Sequence, residues 1–519
     1  MAILGIDLGT TYSVMATMED GRVLVLSNVE GRQTTPSVIF FQDDSLDNAL
    51  VGDCAVYSAG NDPAGAIRAI KRHMGTDFAV KRGNNTYTPE QVSAAILKKL
   101  IADAKDSLGE AVTDAVITVP AYFEAAEREA TRKAGEMAGL TVRALLDEPV
   151  AAAIDFAQTR GEELAGKTVL VFDLGGGTFD VTVMRVSREG GSGSSLAFDV
   201  IGKDGSRTLG GLDWDQALAE HVAAEFVKAH PGKSPADDPR SFDILMLQCQ
   251  QAKEAISFKA DPDNGVSVTC THEGVSHSVL VSRRQFEELT LPLLSQTADK
   301  ASQLVAGLAG RGVTWQTIDH ILLAGGSTKM PAVAAMLEGI AGKPPVTNKG
   351  VDFNVGRGAA YLAFSPGAWT VPGGGLPPEK QTAIVKHGPR YAIRTPPTGI
   401  VNHSVGITVS DFGTGKERNF ILLEKNTPVN TRSKEESFQT VEVNQSAVDI
   451  IINKGESENL ESLEQLGTVR ISDLPPGAAG QLIKVWLSYD SDGLIVGEAT
   501  HLASGRRAEI KVSLTKKSS

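Results

Sequence analysis

The sequence predicts an α/β body built from two related halves, followed by an all-β module. Three observations predict it. A glycine-threonine turn after an apolar run occurs twice, at Asp7-Leu8-Gly9-Thr10-Thr11 and at Asp173-Leu174-Gly175-Gly176-Gly177-Thr178. Strand-like and helix-like stretches alternate up to about residue 362, the pattern of an α/β architecture. Past residue 400 the helical signal gives way to short β-prone runs.

The elements follow in order. Residues 2–6 and 168–172 read as apolar strands that each end in an aspartate and turn on glycine beside threonine hydroxyls. Glycine lets the backbone turn tightly and brings bare N–H groups close to an anion. An aspartate at the strand end suits a hydrated Mg²⁺, which keeps waters and takes few protein ligands. Two such loops facing each other would grip a polyphosphate from both sides. Residues 115–119 form a β-rich run closed by Pro120, and 124–138, rich in Ala, Glu, Arg and Lys, predict a helix ended by Gly139. Residues 320–324 predict a buried strand, with Gly325-Gly326-Ser327 opening a helix across 331–340.

Between 365 and 399, Pro366, Pro372, Gly373-Gly374-Gly375, Pro377-Pro378, Pro389 and Pro396-Pro397 exclude a continuous helix or central strand. A connector at 363–399 is therefore expected between a domain at 1–362 and one at 400–519. In the latter, 420–423, 439–443, 448–453, 468–471 and 484–489 are strand candidates, and Asp490-Ser491-Asp492-Gly493 predicts a hairpin into 494–496. A last strand is expected at 508–514, with no helical segment after it. The size suits a small sandwich.

Apolar content of 41% and charged content of 22% place the chain among ordinary globular proteins. A net charge of −13 argues against sequence-independent nucleic-acid binding, which needs a basic face. Cys54, Cys249 and Cys270 show no metal-ligand spacing and predict reduced thiols. No apolar run approaches the length of a membrane span, and the first strand begins at residue 2, so a cytoplasmic location is expected.

Further motifs occur in order: Arg32-Gln33-Thr34-Thr35-Pro36-Ser37, Ile117-Thr118-Val119-Pro120-Ala121-Tyr122-Phe123, Asp147-Glu148-Pro149, Leu323-Ala324-Gly325-Gly326-Ser327-Thr328 and Asn444-Gln445-Ser446-Ala447-Val448. With Gly5-Ile6-Asp7-Leu8-Gly9-Thr10-Thr11-Tyr12-Ser13, they resemble the seventy-kilodalton heat-shock chaperone family over about 1–362 and 400–515. The resemblance implies a two-lobed actin-like ATPase domain, binding ATP or ADP with Mg²⁺ between its lobes, followed by a β-sandwich peptide-binding domain. It implies phosphate contacts from Gly9, Thr10, Thr11 and Tyr12 on one side and from Gly175, Gly176, Gly177 and Thr178 on the other. Asp7 and Asp173 would hold the water shell of Mg²⁺. Lys71, Glu148, Thr178 and Asp173 would serve hydrolysis, and Pro120 with Arg128 would relay nucleotide state. Phosphoryl transfer asks mainly for charge neutralisation and an oriented nucleophile, which a lysine, Mg²⁺, carboxylates and a threonine hydroxyl supply.

On the nucleoside side the resemblance implies Gln250, Lys253, Ser257, Gly325, Gly326, Ser327, Lys329 and Asp352. Gln250 stands where animal cytosolic members have a glutamate and Glu254 where they have an arginine, and Lys329 replaces the arginine that usually stacks on adenine; lysine lacks the planar guanidinium. In the β module, Phe438, Val441 and Val448 match pocket and arch positions, and Ile407 and Ile450 match groove positions. Such a groove takes extended segments of unfolded polypeptide by main-chain hydrogen bonds and one apolar pocket. At the arch, Ser410 replaces a methionine.

The connector also departs from the family, whose linker is short, apolar and acidic; here Ile400-Val401 is the pair that imitates it. Ala144, Asp147 and Val150 replace the residues on which a J-domain co-chaperone docks, while a nucleotide exchange factor remains an expected partner. Without a helical lid, peptide release is expected to be fast. The leading expectation is an ATP-hydrolysing chaperone without nucleic-acid or membrane partners. The alternative is a nucleotide-regulated scaffold with marginal hydrolysis. A small-molecule kinase of the same fold would have no use for the 444–448 module.

Overall fold

A computed structural model describes residues 2–512 apart from 61, 190–194, 347–349, 366–391, 394–399, 411–414, 430 and 490–494. The chain forms two compact units. The first comprises Met1–Tyr122, Ala130–Phe198 and Lys203–Thr395; the second comprises Phe123–Glu129, Asp199–Gly202 and Pro396–Ser519.

The repeat read in the sequence reappears as a repeated sheet topology in the first unit. One sheet runs Thr141–Asp147, Val112–Val119, Ala2–Asp7, Tyr12–Glu19, Arg22–Val25. The other runs His320–Ala324, Lys167–Leu174, Phe179–Glu189, Ser195–Ser206, Ala392–Ile393. In each, the strand that ends at the glycine turn has an antiparallel neighbour after the turn and a parallel neighbour on its other side. These strands are buried on both faces: Leu4, Ile6, Val169, Leu170, Val171 and Phe172 are fully enclosed, as expected of sheets covered by helices. The helix Ala125–Met137, the strand His320–Ala324 and the helix Pro331–Ala341 match the sequence reading closely. The glycine run before the last of these forms a short 3₁₀ turn, Gly326–Lys329.

The helix Asn354–Ala363 packs against Ala2–Asp7 and against the helix Glu148–Leu164 at a separation only glycine allows. A Cβ on Gly358 would lie 1.8 Å from the Ala151 carbonyl oxygen, and one on Gly5 would lie 2.0 Å from the Ala360 nitrogen. Arg357 clamps the contact with two hydrogen bonds to Asp155, at 2.8 and 2.7 Å.

In the second unit, one four-stranded sheet runs Glu417–Leu423, Val405–Ser410, Val448–Lys454, Glu464–Ile471. The other runs Glu436–Gln439, Leu482–Tyr489, Ile495–His501, Arg507–Val512. Their inward residues share one core, in which Ile450 and Ile452 meet Ile483, Val485, Leu487 and Ile510. The period-two alternation of Ile483, Val485 and Leu487 is the face-burying pattern of a sandwich strand.

Two expectations change. The strand expected at 439–443 is displaced to Glu436–Gln439. The Gln445 side chain accepts from the Val441 and Glu442 amides at 2.9 and 3.3 Å, and Asn444 is left-handed at φ 57°. A side-chain-closed turn thereby overrides the β propensity of the valines. Second, Ile400-Val401 is no linker: Val401 is 1% exposed in the sandwich core, and its N–H bonds Thr427 O at 2.8 Å. The connector, for which a continuous helix or central strand is excluded, contributes a short edge strand. Ala392–Ile393 pairs in parallel with Ser195 and Leu196, and Ile393 is buried. The rest of the connector, with Gly373–Gly375, lies outside the described residues, as does the expected turn at 490–493. The strands flanking that turn nevertheless pair antiparallel, from Tyr489 with Ile495 onwards. All three cysteines are free, with Cys249 and Cys270 buried and Cys54 exposed.

Because backbone cannot yield as a flexible side chain can, Gly358→Ala is expected to destabilise the first unit by about 3 kcal/mol or more. Gly339→Ala, where a Cβ meets nothing within 4 Å, should be neutral or stabilising by up to about 1 kcal/mol. Denaturant titration of both variants measures the difference.

Candidate functional site

The two glycine turns face each other across a cleft of about 390 Å³ within the first unit. The second turn has glycines where the first turn's threonines stand. A Cβ on Gly176 would lie 1.6 Å from Thr11 Oγ1, and one on Gly177 would lie 2.3 Å from Thr10 Cγ2. The carbonyls of the second turn are tied back. Ser327 Oγ and the Gly211 N–H donate to Gly175 O at 2.9 Å each, Leu212 N–H donates to Gly176 O at 2.8 Å, and Arg72 Nε donates to Gly177 O at 2.9 Å. Arg72 also pairs with Asp213 at 2.8 Å, and Asp213 in turn accepts from the Gly210 N–H at 2.7 Å. Gly325, at φ +79°, closes the same corner, since a Cβ there would lie 2.4 Å from Leu174 O.

Behind the turns the charge is one-sided. Glu148, Asp173 and Asp180 are buried, Asp7 lies beside them on the cleft wall, and Lys71 is the buried cation that meets Glu148, at 2.5 Å. Asp7 also accepts from Thr118 Oγ1 at 3.2 Å. Burial, with the nearby Glu148 carboxylate, pushes Asp7 up to about 7 against the pull of Lys71. Burial, then Glu148 and Asp147, push Asp180 up to about 8. Asp173 is raised well above the carboxylate range by burial and by Glu148, Asp180 and Asp7. Carboxylates crowded so closely hold protons unless a cation joins them. An oxygen-rich, negatively charged corner beside amide-lined turns fits a hydrated divalent cation carrying a polyphosphate.

On the far wall, the helix Pro239–Ser257 presents Gln250, Lys253, Glu254 and Ser257 to the cleft, a spacing of three and four residues that puts them on one face. Lys253 is buried, 2.8 Å from Asp215 and 2.9 Å from Gly211 O. Asp215 itself is pushed up to about 6 by burial, opposed by Lys253. Gln250 Nε2 reaches Tyr12 Oη and Glu254 at 3.4 Å each. Gly325, Gly326, Ser327, Lys329 and Asp352 complete the lining, with the Lys329 ammonium paired to Asp352.

The cleft therefore gathers Asp7, Gly9, Thr10, Thr11, Tyr12, Lys71, Glu148, Asp173, Gly175, Gly176, Thr178 and the nucleoside-side candidates. Gly177 stands just behind it against Thr10. Pro120 and Arg128 are not among its lining. Pro120 is buried at the end of Val112–Val119, and Arg128 Nε donates to Phe123 O at 3.1 Å. The remaining candidates lie in the second unit. Ile407 and Ile450 are core residues at 3% and 4% exposure, Phe438 packs edge-on to Phe420 at 5.5 Å, Val448 is partly buried and Val441 is half exposed. The sequence reading missed Arg72, Gly211, Asp213 and Asp215. The adjacent Lys71 and the Gly210-Gly211 pair were the available signals.

Removing the carboxylate partner of a buried ammonium leaves that charge unpaired. Asp215→Ala is therefore expected to cost about 3–5 kcal/mol of stability, with Asp215→Asn milder; thermal unfolding of the two variants checks the order.

With the geometry in view, comparison with known proteins is informative. A sequence profile of the family described as "Hsp70 protein" matches residues 3–82, 78–364 and 403–519. Proteins named "Chaperone protein DnaK" from two strains of Halobacterium salinarum are each 37% identical over 514 residues, covering 98% of this chain and 75% of theirs.

Proposed function

The chain belongs to the Hsp70 family of ATP-dependent molecular chaperones, and from that premise we propose how its own residues divide the work. It is an ATPase, with ATP and Mg²⁺ bound in the cleft of the first unit, between two actin-like lobes built on the two sheets. The observation that carries this is the pairing of closely packed glycine turns with a carboxylate group behind them that outnumbers its cations. Gly9 to Tyr12 and Gly175 to Thr178 cradle the phosphates, and Asp7 and Asp173 hold the cation through its waters. Bound Mg²⁺·ATP supplies the transferable phosphoryl group and a cation that neutralises its oxygens.

Lys71 adds the protein's own positive charge beside that group, and Glu148, held by Lys71, orients the attacking water together with Thr178. Arg72 acts one step removed, by fixing the carbonyl of Gly177 and so the attitude of the second turn. Pro120 and Arg128 form the relay of nucleotide state. Gln250, Lys253, Ser257, Lys329 and Asp352 surround the nucleoside.

In the second unit, Phe438, Val441 and Val448 border an apolar pocket for extended segments of unfolded clients, with Ile407 and Ile450 as its floor. The connector docks on the first unit through Ala392–Ile393. No helix among the described residues is long and apolar enough to cross a membrane. A cytoplasmic location and a nucleotide exchange factor complete the proposal, while the changes at Ala144, Asp147 and Val150 argue against family-type docking of a J-domain co-chaperone.

Lys71→Ala is expected to lower single-turnover hydrolysis by about 10²–10³-fold while ATP binding persists; unchanged turnover would remove Lys71 from the chemistry. Val448→Phe should abolish binding of leucine-rich peptides without altering ATP affinity, as read by fluorescence anisotropy. Ile393→Asp should detach the connector strand and shift the basal ATPase rate; an unaltered rate would show that the strand carries no coupling.

A further inference from the structure

We propose that Phe258 is the ring on which the nucleobase stacks in this chain. The inference rests on reading the cleft as the nucleotide site. Phe258 follows the last residue of the helix Pro239–Ser257, still in helical conformation at φ −89° and ψ −4°. It continues the cleft-facing series Gln250, Lys253, Glu254, Ser257 at the next helical position.

Its side chain is 76% exposed although it lines the cleft. A large ring held in water at the mouth of a pocket has apolar area available for a ligand to cover. Tyr12 is the other aromatic ring on the lining, and it sits beside the first glycine turn with its hydroxyl joined to Gln250.

The cations of the lining are already engaged. Lys71 meets Glu148, Lys253 meets Asp215, Lys329 meets Asp352, and Arg32 meets Asp53 at 2.9 Å. Glu254, one helical turn before Phe258, accepts from Gln250 and offers no face to a ring. Gly211 fixes which end of the cleft is which. A Cβ there would lie 2.4 Å from Ser327 Oγ and 3.0 Å from Lys253 Nζ, so the helix and the Gly325–Lys329 segment close together at the phosphate side. Beyond that closure the helix leads to Ser257 and Phe258. A flat heteroaromatic base is the part of a nucleotide that an aromatic face binds irrespective of charge.

Titration of the full chain with Mg·ADP and, separately, with magnesium pyrophosphate tests this. Phe258→Ala is expected to raise the Kd for Mg·ADP by roughly 5- to 150-fold and to leave pyrophosphate affinity unchanged. Phe258→Trp is expected to retain ADP affinity and to show an ADP-dependent change in emission that pyrophosphate does not produce. Equal ADP affinity in wild type and Phe258→Ala would overturn the stacking role while leaving the nucleotide site intact, and a parallel loss of both affinities would reduce Phe258 to a structural residue. A wild-type chain that takes up neither probe would overturn the nucleotide reading itself.

Discussion

The first unit is organised around an imbalance of buried charge. Asp7, Asp173, Asp180 and Glu148 converge where Lys71, and Lys203 beside Asp180, are the cations that answer them. Such a group is costly to keep ionised in a folded interior, and its protons are held chiefly by burial. The arrangement makes sense when a divalent cation completes it.

Close approach of backbone is the second requirement, and glycine provides it at two levels. In the turns, Gly176 and Gly177 leave room for the threonines of the opposite loop. Behind them, Gly5 and Gly358 let the helix Asn354–Ala363 lie almost on the main chain of its neighbours, with Arg357 and Asp155 locking the contact. A displacement at the turns has little slack to absorb it before it reaches that helix. Close-packed interiors pass such displacements on rather than damp them.

Local signals explain what was legible from sequence. The strand His320–Ala324 and the helix Ala125–Met137 are declared by residues within a few positions of one another, as is the doubled aspartate-glycine turn. Residues whose meaning depends on distant partners were not legible. Arg72 takes its importance from Gly177 and Asp213, more than a hundred positions away. Val441 and Val443 look like strand, yet a glutamine side chain closes them into a turn. Ile400-Val401 imitates the family's apolar linker in sequence, whereas the sandwich core holds Val401. Nothing in the composition around Ala392–Ile393 distinguishes it from the surrounding connector. Its strand exists through the pairing with Ser195 and Leu196 alone. The turns converge on the cleft in the order their motifs suggested, but Phe258 carries no motif and becomes visible only as a ring left in water.

The strand Ala392–Ile393 has one more consequence, for solubility. It occupies the outermost place in its sheet, against the start of Ser195–Ser206. Unpaired main-chain groups along such a border recruit strands from other molecules. By laying Ala392 and the buried Ile393 there, the chain covers part of the Ser195–Ser206 border against intermolecular self-assembly.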